Sequence, residues 1–182
     1  MQATHDSSLI LVYTGDGKGK SCAAMGQVVR ALGHGARCLV AQFIKQDPEK
    51  LDSGEYRSLT KLGVSWKQFG AGFTWEGEND KLNADLAKRG WEQVKRWISS
   101  ASYDLIVLDE FTYTLSLGYL DTAEVCTWLS DHKPKDGFPH LVITGRNAPK
   151  ELVAIADMVS ELGCIKHHLA GEGRKAQAMI EF

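Results

Sequence analysis

The sequence predicts an α/β fold, a mainly parallel sheet with helices on both faces, and three observations predict it. An apolar run, Leu9-Ile10-Leu11-Val12-Tyr13, leads into a glycine-rich stretch and then into a segment with apolar residues at Cys22, Met25, Val29 and Leu32, the spacing of a helix. Further short apolar runs alternate with polar or helix-periodic segments along the chain. One of these runs, Tyr103 to Leu108, ends in two acids, Asp109 and Glu110. Such sheets bind ligands outside the carboxyl ends of their strands, and Thr14, Lys45, Gly70, Asp109 and Gly145 mark those ends.

The glycine-rich stretch is Thr14-Gly15-Asp16-Gly17-Lys18-Gly19-Lys20-Ser21. Between a strand and a helix it reads as a phosphate-binding loop. Successive backbone N–H groups point at an anion at the positive end of a helix dipole, the lysine adds a cation, and the hydroxyl offers a Mg²⁺ ligand. Those roles fall to Lys20 and Ser21. Against the pattern G-x-x-x-x-G-K-[ST], the first glycine position holds Thr14, which leaves open whether the phosphates run in the usual direction. A glycine turn that merely caps the helix is the plainer alternative.

After the first helix, Gly33-His34-Gly35 supplies a stop and a turn, with His34 a turn residue and no ligand. Arg37 to Ile44 reads as a buried strand whose end carries Gln42 and Lys45. A polar stretch with Pro48 and Gly54 leads to a short helix around Tyr56 to Leu62 and a strand at Val64 to Phe69. In Gly70-Ala71-Gly72-Phe73-Thr74-Trp75-Glu76-Gly77 two large aromatics stand two apart between glycines. They either offer a surface to a flat ligand or fold back over the sheet edge. A long amphipathic helix is predicted over Asn79 to Ser99, its stripe being Leu82, Leu86, Gly90, Val94 and Trp97.

The acids after Tyr103 to Leu108 resemble those of a Walker B strand, which hold Mg²⁺ beside a phosphate loop. Thr112 to Leu120 is a mixed connection, and Asp121 with Glu124 forms a capping box for the next helix. His140 to Thr144 is a buried strand closed by Gly145-Arg146-Asn147, with Asn147 expected to cap a helix starting at Ala148-Pro149 and Arg146 available to a phosphate or a substrate carboxylate. Short strands are expected at Cys164 to Leu169, with His167 and His168 on opposite faces, and at Ala178 to Phe182.

The chain has 182 residues, enough for one domain with one core, and residues 1–8 are expected to be flexible. A net charge of −2 gives no reason to expect nucleic-acid or membrane-surface binding. No basic-then-apolar leader opens the sequence and no apolar run approaches the ~20 residues of a membrane span, so a cytoplasmic protein is expected. Cys22, Cys38, Cys126 and Cys164 stand far apart and are expected to be buried reduced thiols.

Taken together, the glycine loop, Arg30-Ala31-Leu32-Gly33-His34-Gly35, Gln42-Phe43-Ile44-Lys45, Gly72-Phe73-Thr74-Trp75, Leu108-Asp109-Glu110 and Thr144-Gly145-Arg146 resemble the P-loop class of corrinoid adenosyltransferases over almost the whole chain. The loop alone is shared by very many proteins; Gly72-Phe73-Thr74-Trp75 with the Gln42 to Lys45 strand end is what marks this family. The resemblance implies a P-loop NTPase-like, RecA-like fold and transfer of the 5′-deoxyadenosyl group of ATP to the cobalt of a reduced corrinoid, with release of triphosphate. It implies that ATP lies reversed in the loop, in accord with Thr14. By position, Thr14, Gly15, Asp16, Gly17, Lys18, Gly19, Lys20, Ser21, Cys22 and Arg30 bind ATP, and Ser21 and Glu110 hold Mg²⁺. Phe73 and Trp75 lie under the corrin, displacing its lower axial ligand, and Arg146 contacts the corrinoid. A flavoprotein reductant and a homodimer are further expectations of the resemblance.

The implied chemistry suits these residue types. Cobalt(I) is a strong nucleophile with no proton to remove, so attack on C5′ needs placement and a stabilised leaving group, not a general base. Two other readings are compatible with the motifs: a P-loop ATPase or small-molecule kinase in which Glu110 orients a water or hydroxyl at the γ-phosphate, and a corrinoid or nucleotide carrier that binds without turnover.

Overall fold

The structure, a computed structural model, describes residues 7–44, 53–72, 80–167, 177 and 179–180. Its elements in order are β1 (Ile10–Thr14), α1 (Lys20–Gly33), β2 (Cys38–Phe43), α2 (Gly54–Lys61), β3 (Ser65–Phe69), α3 (Asp80–Ser99), β4 (Leu105–Asp109), α4 (Phe111–Ser116), α5 (Thr122–His132), β5 (His140–Thr144), α6 (Lys150–Ile155) and β6 (Met158–Glu161). All six strands are parallel in one sheet of order β3-β2-β4-β5-β1-β6. The loop-bearing strand β1 and the acid-bearing strand β4 are therefore separated by β5. No helix among the described residues is long and apolar enough to cross a membrane.

Parallel strands covered on both faces should be near-continuously apolar, and the inner strands β1, β2, β4 and β5 are so up to the polar residues at their ends. Ile10, Val12, Leu39, Ala41, Phe43, Ile106, Leu108, Leu141 and Ile143 face one cluster with α3, α4, α5 and α6. Tyr13, Cys38, Val40, Leu105, Val107 and Val142 face the other, with α1 and Leu59 of α2. Strand alternation thus sends Gln42, Asp109 and Thr144 to the α1 face at the carboxyl ends.

The helices differ from expectation in which stripe is inward. In α1 the buried residues are Lys20, Ala24, Met25 and Val28, while Cys22 is exposed and Val29 is 55% exposed. In α3 they are Asn83, Ala87, Gly90, Trp91, Val94 and Ile98, and Leu82 faces solvent. Small residues decide this. A Cβ at Gly90 would lie 2.6 Å from the Phe69 ring and 2.8 Å from that of Phe43, so the helix approaches the sheet through its glycine. The stretch expected as a mixed connection contains α4, whose Phe111 is fully buried edge-on to Phe43.

Further expectations are corrected. The sixth strand is β6, not Cys164 to Leu169: Cys164 to His167 form no strand, and His168 onward to Leu169 lies outside the described residues. As an edge strand paired only with β1, β6 needs no continuous apolar run, and its Met158 and Val159 are 41% and 39% exposed. Met179 and Ile180 form a turn, the rest of the expected last strand being outside the described residues. Asn147 does not cap α6; Pro149, in extended conformation, is its N-cap, because a residue before proline is kept out of the helical region and the helix starts beyond it. Asp121 does cap α5, accepting from the Glu124 amide at 2.9 Å. Of the thiols, Cys38 and Cys126 are buried but Cys22 and Cys164 are exposed. Ser8, expected in a flexible arm, donates to the Phe138 carbonyl.

Candidate active site

The loop after β1 is shaped by two glycines in the left-handed region, Gly15 at φ 94° and Gly19 at φ 105°, where a side chain is strained. It is also pressed against the chain leaving β6. The Gly17 amide donates to the Leu162 carbonyl at 2.7 Å, and a Cβ at Gly17 would lie 2.4 Å from the Gly163 carbonyl. Thr14, at the position where the common pattern has glycine, accepts from the Ala148 amide at 3.2 Å. Its hydroxyl ties the loop entrance to the segment after β5.

Lys20 is buried, and its Nζ donates to the carbonyls of Gly15 and Gly17 at 2.7 and 2.6 Å. Burial lowers its pKa, and nearby Arg146 lowers it further against the opposing pull of Glu110, Asp16 and Asp109. Arg146 reaches the loop from the end of β5: its Nη2 donates to the Asp16 carbonyl at 3.3 Å. Its own carbonyl accepts from Thr112 Oγ1 at 2.6 Å.

Glu110 follows β4 and takes a left-handed conformation, φ 58° and ψ 20°, as N-cap of α4. Its amide donates to Thr144 Oγ1 at 3.0 Å. Asp109 is fully buried and accepts from Gln42 Nε2 at 2.8 Å and Thr144 Oγ1 at 2.7 Å. These ends meet around a cleft of about 410 Å³, where Gly17 to Cys22 face Asp109, Glu110 and Arg146.

Of the residues expected to bind ATP, metal or corrinoid, the cleft thus gathers Gly17, Lys18, Gly19, Lys20, Ser21, Cys22, Glu110 and Arg146, with Thr14, Gly15 and Asp16 in the loop leading to it. It does not gather Arg30. That residue lies ten positions along α1 from Lys20, roughly 15 Å at 1.5 Å per residue, beside a separate pocket with Leu9, Leu11 and His34 at the amino ends of the strands. Phe73, Trp75 and Lys45 lie outside the described residues.

Gln42, Trp66, Tyr113 and Thr144 complete the site's walls or supports; Gln42 and Thr144 stood in motifs but were given no role there, and Trp66 and Tyr113 stood in none. Tyr113 lines the cleft three residues after Glu110, and its phenol is pushed up by burial and by Glu110. The signal was the helical offset from Glu110, hidden because no apolar period marked α4.

A divalent cation has suitable donors here. No group of three or more His, Cys, Asp or Glu that could hold a metal occurs among the described residues. Mg²⁺, however, is commonly held by one or two protein oxygens together with phosphates and water, and the Ser21 hydroxyl and Glu110 carboxylate on facing walls of the cleft are hard oxygen donors of that kind.

Comparison with known proteins agrees with this geometry. A flagellar accessory protein, FlaH from Methanocaldococcus jannaschii, shares the fold at a TM-score of 0.55 and 14% identity, over 85% of this chain and 70% of that one. A corrinoid adenosyltransferase of Sinorhizobium sp is 39% identical over 98% of this chain and 82% of its own length. Those of Salmonella typhimurium and Escherichia coli are 37% and 36% identical, over 100% of this chain and 89% of theirs. The family model for ATP:corrinoid adenosyltransferase BtuR/CobO/CobP matches residues 6–182. The chain belongs to the ATP:corrinoid adenosyltransferase family.

Proposed function

We propose that this protein transfers the 5′-deoxyadenosyl group of ATP to the cobalt of a reduced corrinoid. The observation that carries the reading is one cleft, in a chain of this family, lined by Lys20, Ser21, Glu110 and Arg146. The cobalt(I) electron pair attacks C5′, a cobalt–carbon bond forms, the C5′–oxygen bond breaks, and its electron pair leaves with triphosphate. Cobalt is formally oxidised to cobalt(III). The positive charges of Lys20 and Arg146 stabilise the leaving triphosphate. Mg²⁺, held by Ser21 and Glu110, would supply further charge neutralisation there.

The loop amides and Lys20 hold the phosphates, with Thr14, Gly15, Asp16, Gly17, Lys18, Gly19 and Cys22 shaping the cradle. The left-handed turns at Gly15 and Gly19, which shape the loop around Lys20, support that role. Arg146 has a second partner in a corrinoid carboxylate. Phe73 and Trp75 take the lower face of the corrin, where an apolar aromatic in place of the axial ligand leaves cobalt four-coordinate and easier to reduce. A cytoplasmic homodimer served by a flavoprotein reductant completes the proposal. Arg30 contributes nothing to its own subunit's phosphates, because it sits at the far end of α1.

The test is to mix the protein anaerobically with MgATP and cob(I)alamin, following the corrinoid spectrum and the phosphate product together. Adenosylcobalamin with intact triphosphate is expected. Inorganic phosphate without a spectral change would instead make the protein an ATPase or kinase, and binding of both substrates without turnover would make it a carrier.

A further inference from the structure

Four side chains and one backbone amide form a continuous hydrogen-bond chain across four adjacent strands at the base of the cleft. Gln68 Nε2 donates to Gln42 Oε1 at 2.7 Å, and Gln42 Nε2 donates to Asp109 Oδ2 at 2.8 Å. From the other side the Glu110 amide donates to Thr144 Oγ1 at 3.0 Å, and Thr144 Oγ1 donates to Asp109 Oδ1 at 2.7 Å. Sheet register builds it: Gln68 and Gln42 are directly paired, and so are Gln42 and Asp109.

All four bonds point towards Asp109. A carboxylate that only accepts imposes this direction. Because Asp109 takes the single proton of the Thr144 hydroxyl, the lone pairs of that hydroxyl are left for the Glu110 amide. That amide belongs to a non-glycine residue at φ 58°, an uncommon backbone conformation that persists where surrounding bonds hold it. The turn at Glu110 ends β4 and directs its side chain to the cleft wall. Asp109 and Thr144 are both 0% exposed, so water does not compete for these bonds.

We propose that Thr144 is a positioning residue: polarised by Asp109, it clasps the Glu110 amide and so fixes where the Glu110 carboxylate meets the metal–triphosphate. The proposal rests on the reading that Glu110 helps to hold Mg²⁺. Thr144 touches no substrate itself; it acts through Glu110. Such outer-shell supports typically matter by 10–100-fold in metal affinity.

The test measures ATP affinity by calorimetry without corrinoid, once in excess Mg²⁺ and once in EDTA, so that no turnover enters. Thr144→Val keeps the shape and loses the hydroxyl; it is expected to cut the affinity gain conferred by Mg²⁺ about tenfold while changing affinity in EDTA little. Thr144→Ser, with the hydroxyl back, is expected to restore the gain. If Thr144→Val does not fold, Thr144→Cys replaces it, since a thiol fills the space but accepts weakly. Equal losses with and without Mg²⁺ would reduce Thr144 to a structural role and overturn the proposal. Glu110→Gln runs alongside: if it lowers the Mg²⁺ gain and the Thr144 variants do not, the clasp is wrong and the metal reading stands. If neither lowers it, the metal reading falls and the clasp with it.

Discussion

The Gly17 amide donates to the Leu162 carbonyl at 2.7 Å, so the phosphate loop is built against the chain that leaves the edge strand β6. A Leu162 amide bond back to the Thr14 carbonyl at 2.9 Å closes the contact from the other side. The loop therefore depends on a strand far away in sequence.

Replacing Gly17 tests that dependence. A methyl there would sit 2.4–2.7 Å from backbone atoms of Leu162 and Gly163, which cannot swing away as a side chain can. Gly17→Ala is expected to lower stability by about 1–3 kcal/mol and ATP affinity at least about tenfold, the loop having to leave its support. Gly26→Ala is the control, since an added Cβ in mid-α1 meets nothing within 4 Å. It should gain about 0.5–1 kcal/mol from helix propensity and spare ATP binding. Thermal melts and ATP calorimetry on both variants check this.

The pH dependence of ATP binding should carry the signature of Lys20. Burial disfavours its charged form, and Arg146 adds repulsion. In the proposed role it is the protonated lysine that binds phosphate, so affinity is kept below the folded pKa and lost above it, and the alkaline limb should begin below the ordinary lysine value of about 10.4. Arg146→Met removes the repulsion and should move the limb to higher pH, even if it weakens binding at every pH. A limb unmoved by that change would separate Lys20 from the observed titration. Association of ATP with the corrinoid-free protein, measured from pH 7 upward, gives the answer.

The strand ends carrying the chemistry were legible because a phosphate loop and a paired acid each announce a strand by composition: an apolar run, then residues of one chemical kind. Thr14, Lys20, Ser21 and Glu110 were assigned in this way, and the last three line one cleft. Thr144, in contrast, was read as the end of a strand and the start of Thr144-Gly145-Arg146, with no role assigned to it. Its importance comes from lying beside Asp109 across β4 and β5, and strand order is not written in any one segment. The helix stripes in α1 and α3 were displaced for a related reason. Ala24 and Gly90 gain their inward places by letting a helix come close, which a pattern of large apolar residues does not record. Arg30 was carried over from a motif, and a motif position says nothing about which end of a helix meets the cleft. Likewise, β6 was missed because an exposed edge strand with the sequence Met158-Val159-Ser160-Glu161 lacks the apolar run by which the inner strands were found.

The aromatic pair Phe73 and Trp75 separates two stages of the proposed reaction. Replacing both by Ala should abolish adenosylation that starts from cob(II)alamin with a mild reductant, yet leave reaction of chemically prepared cob(I)alamin within about threefold, a barrier change under 1 kcal/mol. In the proposed lower-face role the pair serves reduction of cobalt and not its attack on C5′, and the expected difference follows from that. Lys20→Ala should damage both reactions, since the leaving triphosphate loses a cation in each. Equal loss of both reactions in the aromatic double variant would contradict a lower-face role.

Stability towards acid should depend on Asp157, which fastens the start of β1 to the turn after α6. Its Oδ2 accepts from the Ile10 amide at 2.7 Å, its own amide donates to the Ile10 carbonyl at 2.8 Å, and Lys133 Nζ stands 2.5 Å from both carboxylate oxygens. Burial acts to raise the carboxyl pKa, but the bonds from Lys133 and the Ile10 amide outweigh it and the net direction is downward. A folded pKa below the unfolded value, about 3.9, means that the bonus is fully present above that value and is lost as pH falls through the folded pKa. Water reaches both side chains, 31% exposed for Asp157 and 27% for Lys133, and screens the pair. Asp157→Asn should therefore cost only about 0.5–1 kcal/mol near pH 7, and the gap between variant and parent should close as pH drops below 4. Urea titrations at pH 7, 5 and 3.5 measure the gap; a difference that stayed constant across this range would assign the loss to the Ile10 hydrogen bond alone and remove the charge from the account.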